Sequence, residues 1–187
     1  MTDSFPEQEP GNPVSADSSA LLVRGLKAGI FTFSGLIGVP ALISVIAGIP
    51  YPLVFALVGS ALVIEYAAVV PGVALQVPAY VTVPVVFSTA LGVITGSLEI
   101  FDAFSLTSPR LSGFLFRIRN RKAGRFMRRY GIWGLIPGTL AAGFYITPGL
   151  SFILGMPKKT SVTVMSGAFL LGELVTLFIT TGVLKFL

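Results

Sequence analysis

The chain has no cysteine and no histidine, a single tryptophan, and few charges: 13 Lys+Arg and 8 Asp+Glu, or 11% of 187 residues. The two missing residue types exclude thiolate and imidazole metal sites, His-assisted nucleophiles, disulfides and every His-based proton switch. The ionisable chemistry that remains is carboxylate, Lys, Arg and Tyr, so neither a metal site nor a cofactor is expected. A soluble domain of this size has about a quarter of its residues charged. So few charges cannot cover the surface of an ordinary cytosolic enzyme. What is abundant is apolar: 53% of residues, with a mean hydropathy of +0.87. The expected class is an all-α integral membrane protein.

The charges are concentrated. Residues 1–20 are polar, acidic and interrupted by Pro6, Pro10 and Pro13. They cannot bury enough apolar area to offset their ordering entropy and read as a disordered tail. No basic n-region opens the chain, so the first hydrophobic segment is expected to stay as an anchor. Long uncharged stretches follow. Between Ile49 and Leu98 the sole charge is Glu65, residues 131–157 carry none, and residues 160–184 carry only Glu173. A spanning helix needs ~20 apolar residues to cross ~30 Å of hydrocarbon. The expected organisation of the membrane domain, residues 21–187, is a transmembrane helix at 28–49, a broken segment at 53–78, a helix at 80–100, a basic segment at 101–130, a second broken segment at 131–156 and a last helix at 161–184.

The basic segment holds seven Arg and one Lys between Arg110 and Arg129, with no acid. Arg110, Arg117, Arg121 and Arg128 fall on one helical stripe and alternate with apolar residues such as Phe114, Ile118 and Phe126. This pattern predicts an amphipathic cytoplasmic segment lying at the bilayer surface, with anionic lipid headgroups as its partners. A plain topology signal in a solvated loop is the alternative. Nucleic acid is not an expected partner, because the flanking segments fix the loop against a bilayer.

Two topologies fit. If all five segments span and the basic loop is cytoplasmic, nine basic residues lie inside and four outside. If residues 53–78 and 131–156 each dip in and return, Arg24, Lys27, the basic loop, Lys158 and Lys159 all lie inside and only Lys185 outside. The positive-inside rule favours the second. Pro71, Gly72 and Pro78 interrupt the first of these segments; Pro137, Gly138, Gly143, Pro148 and Gly149 interrupt the second. Each proline removes an N–H and disturbs the helix, and irregular backbone survives at membrane depth only where protein buries it or water reaches it. Each half of the chain then reads as a Pro/Gly-broken re-entrant hairpin followed by one clean helix. That is the inverted-repeat logic of transporters, with a site near the midplane.

Two carboxylates remain inside hydrophobic runs. Glu65 lies in SALVIEYAAVVPG, where a bare carboxylate costs several kcal/mol unless it is protonated, paired or wetted. It is the first candidate for proton coupling or cation binding. Glu173 lies midway along the last segment, on a stripe with Ser166, Thr176 and Thr180 that lines a water-accessible path or bonds across helices. Glu99, beside Asp102, is expected to be solvated at the interface. Ser88, Gly92 and Gly96 form a small-residue face for close helix packing, a spacing repeated by Gly134 and Gly138. Trp133, Tyr130 and Tyr145 are candidate interfacial anchors. No enzyme constellation is present: there is no His base, no Ser-x-x-Lys in the hydrophobic region, no GxGxxG and no P-loop.

The run RYGIWGLIPGTLAAGFYITPGLSFILGMPKKTSVTVMSGAFLLGELVTLFITTGVL resembles the second half of the small multidrug export family, a prokaryotic group related to the DedA-like (VTT/SNARE-associated) membrane superfamily. The resemblance rests on Tyr130-Gly131, Pro137-Gly138, Pro148-Gly149, Gly155-Met156 before Lys158-Lys159, and the helix that follows. IEYAAVVPGVAL, around Glu65, Pro71 and Gly72, resembles the Glu-containing, proline-broken first motif. Together they cover about residues 60–185. The chain departs from DedA-like members in a shorter second hairpin and in lacking arginines between Gly143 and Phe152. The resemblance implies two facing re-entrant hairpins and a transport-like role in a prokaryotic plasma (inner) membrane. The function expected is a small polytopic transporter or flippase-like protein for lipid-like or amphiphilic substrates, proton-coupled through an intramembrane Glu. A non-transporting scaffold or assembly subunit and a small channel are the alternatives. The chain is short for a carrier, which leaves room for a homodimer.

Overall fold

A computed structural model describes residues 18–107 and 131–184. Among them the fold is entirely helical, and five segments are long and apolar enough to cross a membrane: Leu21–Ala47, Tyr51–Ala74, Ala79–Phe104, Gly131–Leu154 and Lys158–Gly182. Most of the expected acidic tail, and the basic stripe of Arg110, Arg117, Arg121 and Arg128, lie outside the described residues.

Helix α1 (Ser18–Phe33) starts ten residues before the expected boundary and takes in Ser18 to Ala20 of the expected tail. It runs through a π-helical turn, Ser34–Gly38, into α2 (Val39–Ala47). Pro40 explains the turn. Its ring would meet the carbonyl one turn back, and widening the helix avoids that clash; the Val39 N–H accordingly reaches back five residues to Ser34 O. A left-handed Gly48 (φ 64°) closes α2. The second segment is α3 (Tyr51–Ile64), a 3₁₀ turn (Glu65–Ala68) and α4 (Val69–Ala74). Helix α5 (Ala79–Thr107) extends seven residues beyond the expected end. A 3₁₀ turn (Gly131–Gly134) leads into α6 (Leu135–Leu154), and α7 (Lys158–Leu184) completes the chain.

Helix α5 is central. It packs against every other segment and is the most buried of the five. Toward its N-terminal end, Val81 and Val85 cluster with Val54, Leu57 and Val58 of α3. Further along, Val86, Ala90, Ile94 and Leu98 share a cluster with Ala61, Ala68, Leu135, Phe144, Leu154, Met165 and Phe169. The small-residue face meets α1, as its spacing predicts. A Cβ on Gly92 would lie 2.9 Å from Gly35 Cα, so the two backbones touch, and Ser88 Oγ donates to Gly35 O at 3.3 Å. Gly138 makes no such approach to another helix among the described residues. Large apolar side chains such as Leu26, Phe33, Val63 and Phe178 point outward, as a lipid-facing surface requires.

The prolines are not where the segments break. Pro71 is the third residue of α4 and Pro137 the third of α6, and in a first turn the missing N–H is one that the helix leaves unpaired anyway. Pro78 precedes α5, and its carbonyl accepts the Val81 and Thr82 N–H groups. Pro148 lies within the helical second half of α6. The neighbouring glycines Gly72, Gly138 and Gly149 are likewise helical. Gly72 leaves room for Thr82 and Gly149 for Phe101. The actual interruptions are Glu65, at φ 56° and ψ −128°, and Gly143, at φ 76° and ψ −179°. Across each one the chain comes back near itself. A Cβ on Gly72 would lie 3.2 Å from Leu57 Cδ2, and one on Gly138 would lie 3.9 Å from Thr147 Cγ2.

One end of the molecule carries an ion cluster. Lys158 Nζ, at the start of α7, lies 2.7 Å from Glu99 Oε1 and 3.0 Å from Asp102 Oδ2, both near the end of α5. Arg24 Nη1, near the start of α1, lies 3.4 Å from Asp102 Oδ2. Glu99 is therefore ion-paired rather than simply solvated. Beneath the cluster Phe101 stacks on Phe152 at 5.6 Å.

Candidate functional site

The two interruptions meet. Glu65 ends α3 in a conformation that non-glycine residues seldom adopt, with its own N–H bonded to Ala61 O. Gly143 adopts a backbone region open almost only to glycine, and the space its missing Cβ leaves is taken by the Glu65 carboxylate. The Phe144 N–H donates to that carboxylate. Glu65 thus caps, from another segment, the N-terminus of the helical half 144–154, where free N–H groups and the helix dipole favour an anion.

The carbonyls on the other side of each break are satisfied by a crossed pair of tyrosines. In an unbroken helix the Leu62 carbonyl would pair with the Tyr66 N–H, and the Leu140 carbonyl with the Phe144 N–H. Instead, Tyr145 Oη donates to Leu62 O at 2.6 Å and Tyr66 Oη donates to Leu140 O at 3.3 Å. Each tyrosine belongs to one broken segment and serves the carbonyl of the other. Tyr145 is therefore a bridge between breaks and not an interfacial anchor. Phe169 of α7 wedges beneath, edge-on to Tyr66 at 6.2 Å and to Phe144 at 5.4 Å, and Gly172 makes room for Leu140 and Tyr66. A recess of about 330 Å³, lined by residues 63–67 and 140–143, opens beside the carboxylate.

Glu173 does not join this arrangement. It is fully buried (0% exposed), and neither carboxylate oxygen has a hydrogen-bond partner among the described residues; Ser166 Oγ is in the same condition. Thr176 and Thr180, on the same inner face, bond back to Gly172 O and Thr176 O of their own helix, each at 2.8 Å. Those two threonines therefore do not bond across helices.

Of the residues singled out from sequence, the structure brings Glu65 to the centre and leaves the prolines at the margins. Tyr66, Phe144 and the bridging role of Tyr145 go unread in the sequence. Their signal is weak: a tyrosine directly after the lone acid, and a Gly-Phe-Tyr triplet in mid-segment. Chemically, the arrangement presents an ionisable oxygen ligand to a recess midway along two long apolar segments, able to take a proton or face a cationic group. No family model, curated protein or solved structure matches the chain.

Proposed function

We propose that this protein is a small polytopic membrane transporter or flippase-like protein that moves lipid-like or amphiphilic substrates past the recess at Glu65, coupled to protons through an intramembrane Glu. In this reading the segments Tyr51–Ala74 and Gly131–Leu154 enter from opposite faces, turn at Glu65 and Gly143, and return, giving an inverted repeat of two hairpins and three full spans.

Parity supports the topology. Residues that form an ion pair at a membrane surface lie on one side of the bilayer, so an even number of crossings separates them. Three apolar segments separate Arg24 from Asp102, and one separates Asp102 from Lys158. Both counts become even when each broken segment returns to the face it entered. The approach of Leu57 to Gly72, and of Gly138 to Thr147, agrees: an unbroken helix rises 1.5 Å per residue and would hold these pairs more than ~10 Å apart. Arg24, Lys27, Lys158, Lys159 and the basic run around Arg110, Arg117, Arg121 and Arg128 then share the cytoplasmic side, where the run meets anionic headgroups. The likeness to the small multidrug export and DedA-like proteins points the same way, to a prokaryotic plasma membrane.

The observation that carries the functional reading is the meeting of two broken segments at one carboxylate beside a recess, an arrangement that transporters use at midplane sites. The experiment is reconstitution of the purified protein in liposomes with a fluorescent phospholipid and an amphiphilic cation as cargo, with and without a pH gradient. Movement above protein-free liposomes is expected, lost in Glu65→Ala, which removes the side-chain oxygens that accept the Phe144 N–H and face the recess. No movement of either cargo sinks the transporter reading; unchanged movement in Glu65→Ala removes Glu65 from it.

A further inference from the structure

The proposed mechanism leaves open which of the two intramembrane acids carries the proton, and their surroundings differ sharply. Glu65 is half-buried beside the recess and has a donor, the Phe144 N–H. Glu173 has no exposure and, among the described residues, no donor and no cation: every ion pair among them lies at the Arg24–Lys158 end. We propose that Glu173 is the group on which this protein carries its proton, and that Glu65 instead positions the two breaks against each other. This rests on the transporter reading for its purpose but not for its chemistry.

The elements packed against α7 bring few titratable groups to it. Helix α4 and the 3₁₀ turn at Gly131–Gly134 have none. The turn after α3 has Glu65 and Tyr66, α6 has Tyr145, and α5 has Tyr80, Glu99 and Asp102 toward its ends. Tyr66 and Tyr145 are committed to Leu140 O and Leu62 O, and Glu99 and Asp102 to Lys158. None bonds Glu173. A carboxylate ionised in such a place loses its hydration and gains neither counter-charge nor hydrogen bond, which is untenable by several kcal/mol. The resting group is the acid. Its O–H forms as a hydronium O–H at the membrane surface breaks, and the reverse step releases the proton once motion of α7 exposes the carboxyl to the other side. Ser166 Oγ, two turns nearer the Lys158 end on the same face, is the other buried polar side-chain atom without a partner among the described residues.

Infrared spectroscopy of the protein in lipid at neutral pH reads the assignment without any transport assay. The wild type is expected to show the carbonyl stretch of a protonated carboxyl group, lost in Glu173→Gln and retained in Glu65→Gln. An amide imitates the neutral acid, so Glu173→Gln is expected to unfold at the wild-type temperature. If it does not fold, Glu173→Asp serves, with the band kept but displaced. A band that survives Glu173→Gln, a band lost in Glu65→Gln, an unmoved band in Glu173→Asp, or no protonated band in the wild type overturns the proposal. Failure of all transport with the band behaving as expected overturns the transporter reading alone.

Discussion

Replacing Gly143 by alanine tests the meeting of the two breaks directly. At φ 76° and ψ −179° the backbone is strained for any L residue with a side chain, by about 1–3 kcal/mol. The new Cβ also falls on the Glu65 carboxylate, which must leave. Its departure forfeits the hydrogen bond from the Phe144 N–H, worth about 1.5–3 kcal/mol for a charged acceptor. The two losses together come to about 2.5–6 kcal/mol, a large part of the 5–15 kcal/mol that ordinarily separates folded from unfolded protein. The assay is equilibrium unfolding in mixed detergent micelles, followed by far-ultraviolet circular dichroism. Gly138→Ala is the control, because that residue is helical and its Cβ would meet only Thr147 Cγ2 at 3.9 Å, an ordinary contact. It should be neutral or gain up to about 1 kcal/mol from helix propensity. In a Glu65→Ala background the overlap and the cap are already gone, so Gly143→Ala should cost only the strain, about 1–3 kcal/mol. A Gly143→Ala protein within about 1 kcal/mol of the wild type, or one whose loss is the same in both backgrounds, refutes the reasoning.

Two further outcomes follow from the packing and the ion cluster. With no native cysteine to interfere, Lys27→Cys and Lys159→Cys, both exposed, should react with a membrane-impermeant maleimide from one face, and Tyr51→Cys and Tyr80→Cys from the other; labelling of Tyr51→Cys and Tyr80→Cys from opposite faces would rule out two returning segments. Gly92→Ala should push α1 off α5, since its Cβ meets the Gly35 backbone at 2.9 Å and Phe31 O at 3.1 Å, and should cost about 1–3 kcal/mol. Gly29→Ala points into open space and should cost nothing; equal losses in these two variants would show that the Gly35–Gly92 contact does not hold the helices together.

The membrane class, the five apolar segments and the packing face at Ser88, Gly92 and Gly96 were legible in the sequence, because each depends on residue type and short-range spacing alone. The break points were not. Proline advertises a helix interruption, yet Pro71 and Pro137 sit in first turns, where a missing N–H is harmless, so the advertisement misleads by nearly two turns. Gly143 was one of five interrupting residues with nothing to rank it above the rest; what selects it is the carboxylate that occupies its Cβ position. The positive φ of Glu65 is less legible still. Nothing local favours it, and the groups beside it, Phe144 and Tyr145, come from the other half of the chain. For the same reason a tyrosine in an apolar run reads as an interfacial anchor until its acceptor is known.

Broken segments in a bilayer have a reason to come in pairs. One break alone leaves N–H and C=O groups facing hydrocarbon, each costing several kcal/mol. In this chain the defects of the two breaks are complementary. The donor freed at Gly143 meets the acid of the other break, and the carbonyls of Leu62 and Leu140 each meet a tyrosine from the opposite segment. Separating them would expose at least three polar groups at once unless water entered, so the paired breaks move as one body. Relative motion then falls to the contact between that body and α7, which is aromatic and apolar at Phe169 and Gly172 and is tied near the Lys158 end by a hydrogen bond from Ser151 Oγ to Ser161 Oγ at 2.7 Å. The Phe169–Gly172 part of that contact holds no hydrogen bond to break, and the residue adjoining it is Glu173. A proton on that carboxyl lets the surface stay dry, and its loss demands water. In the transport cycle proposed above, movement of α7 past the paired breaks, with the Ser151–Ser161 bond released, is the step at which protonation of Glu173 and access change together.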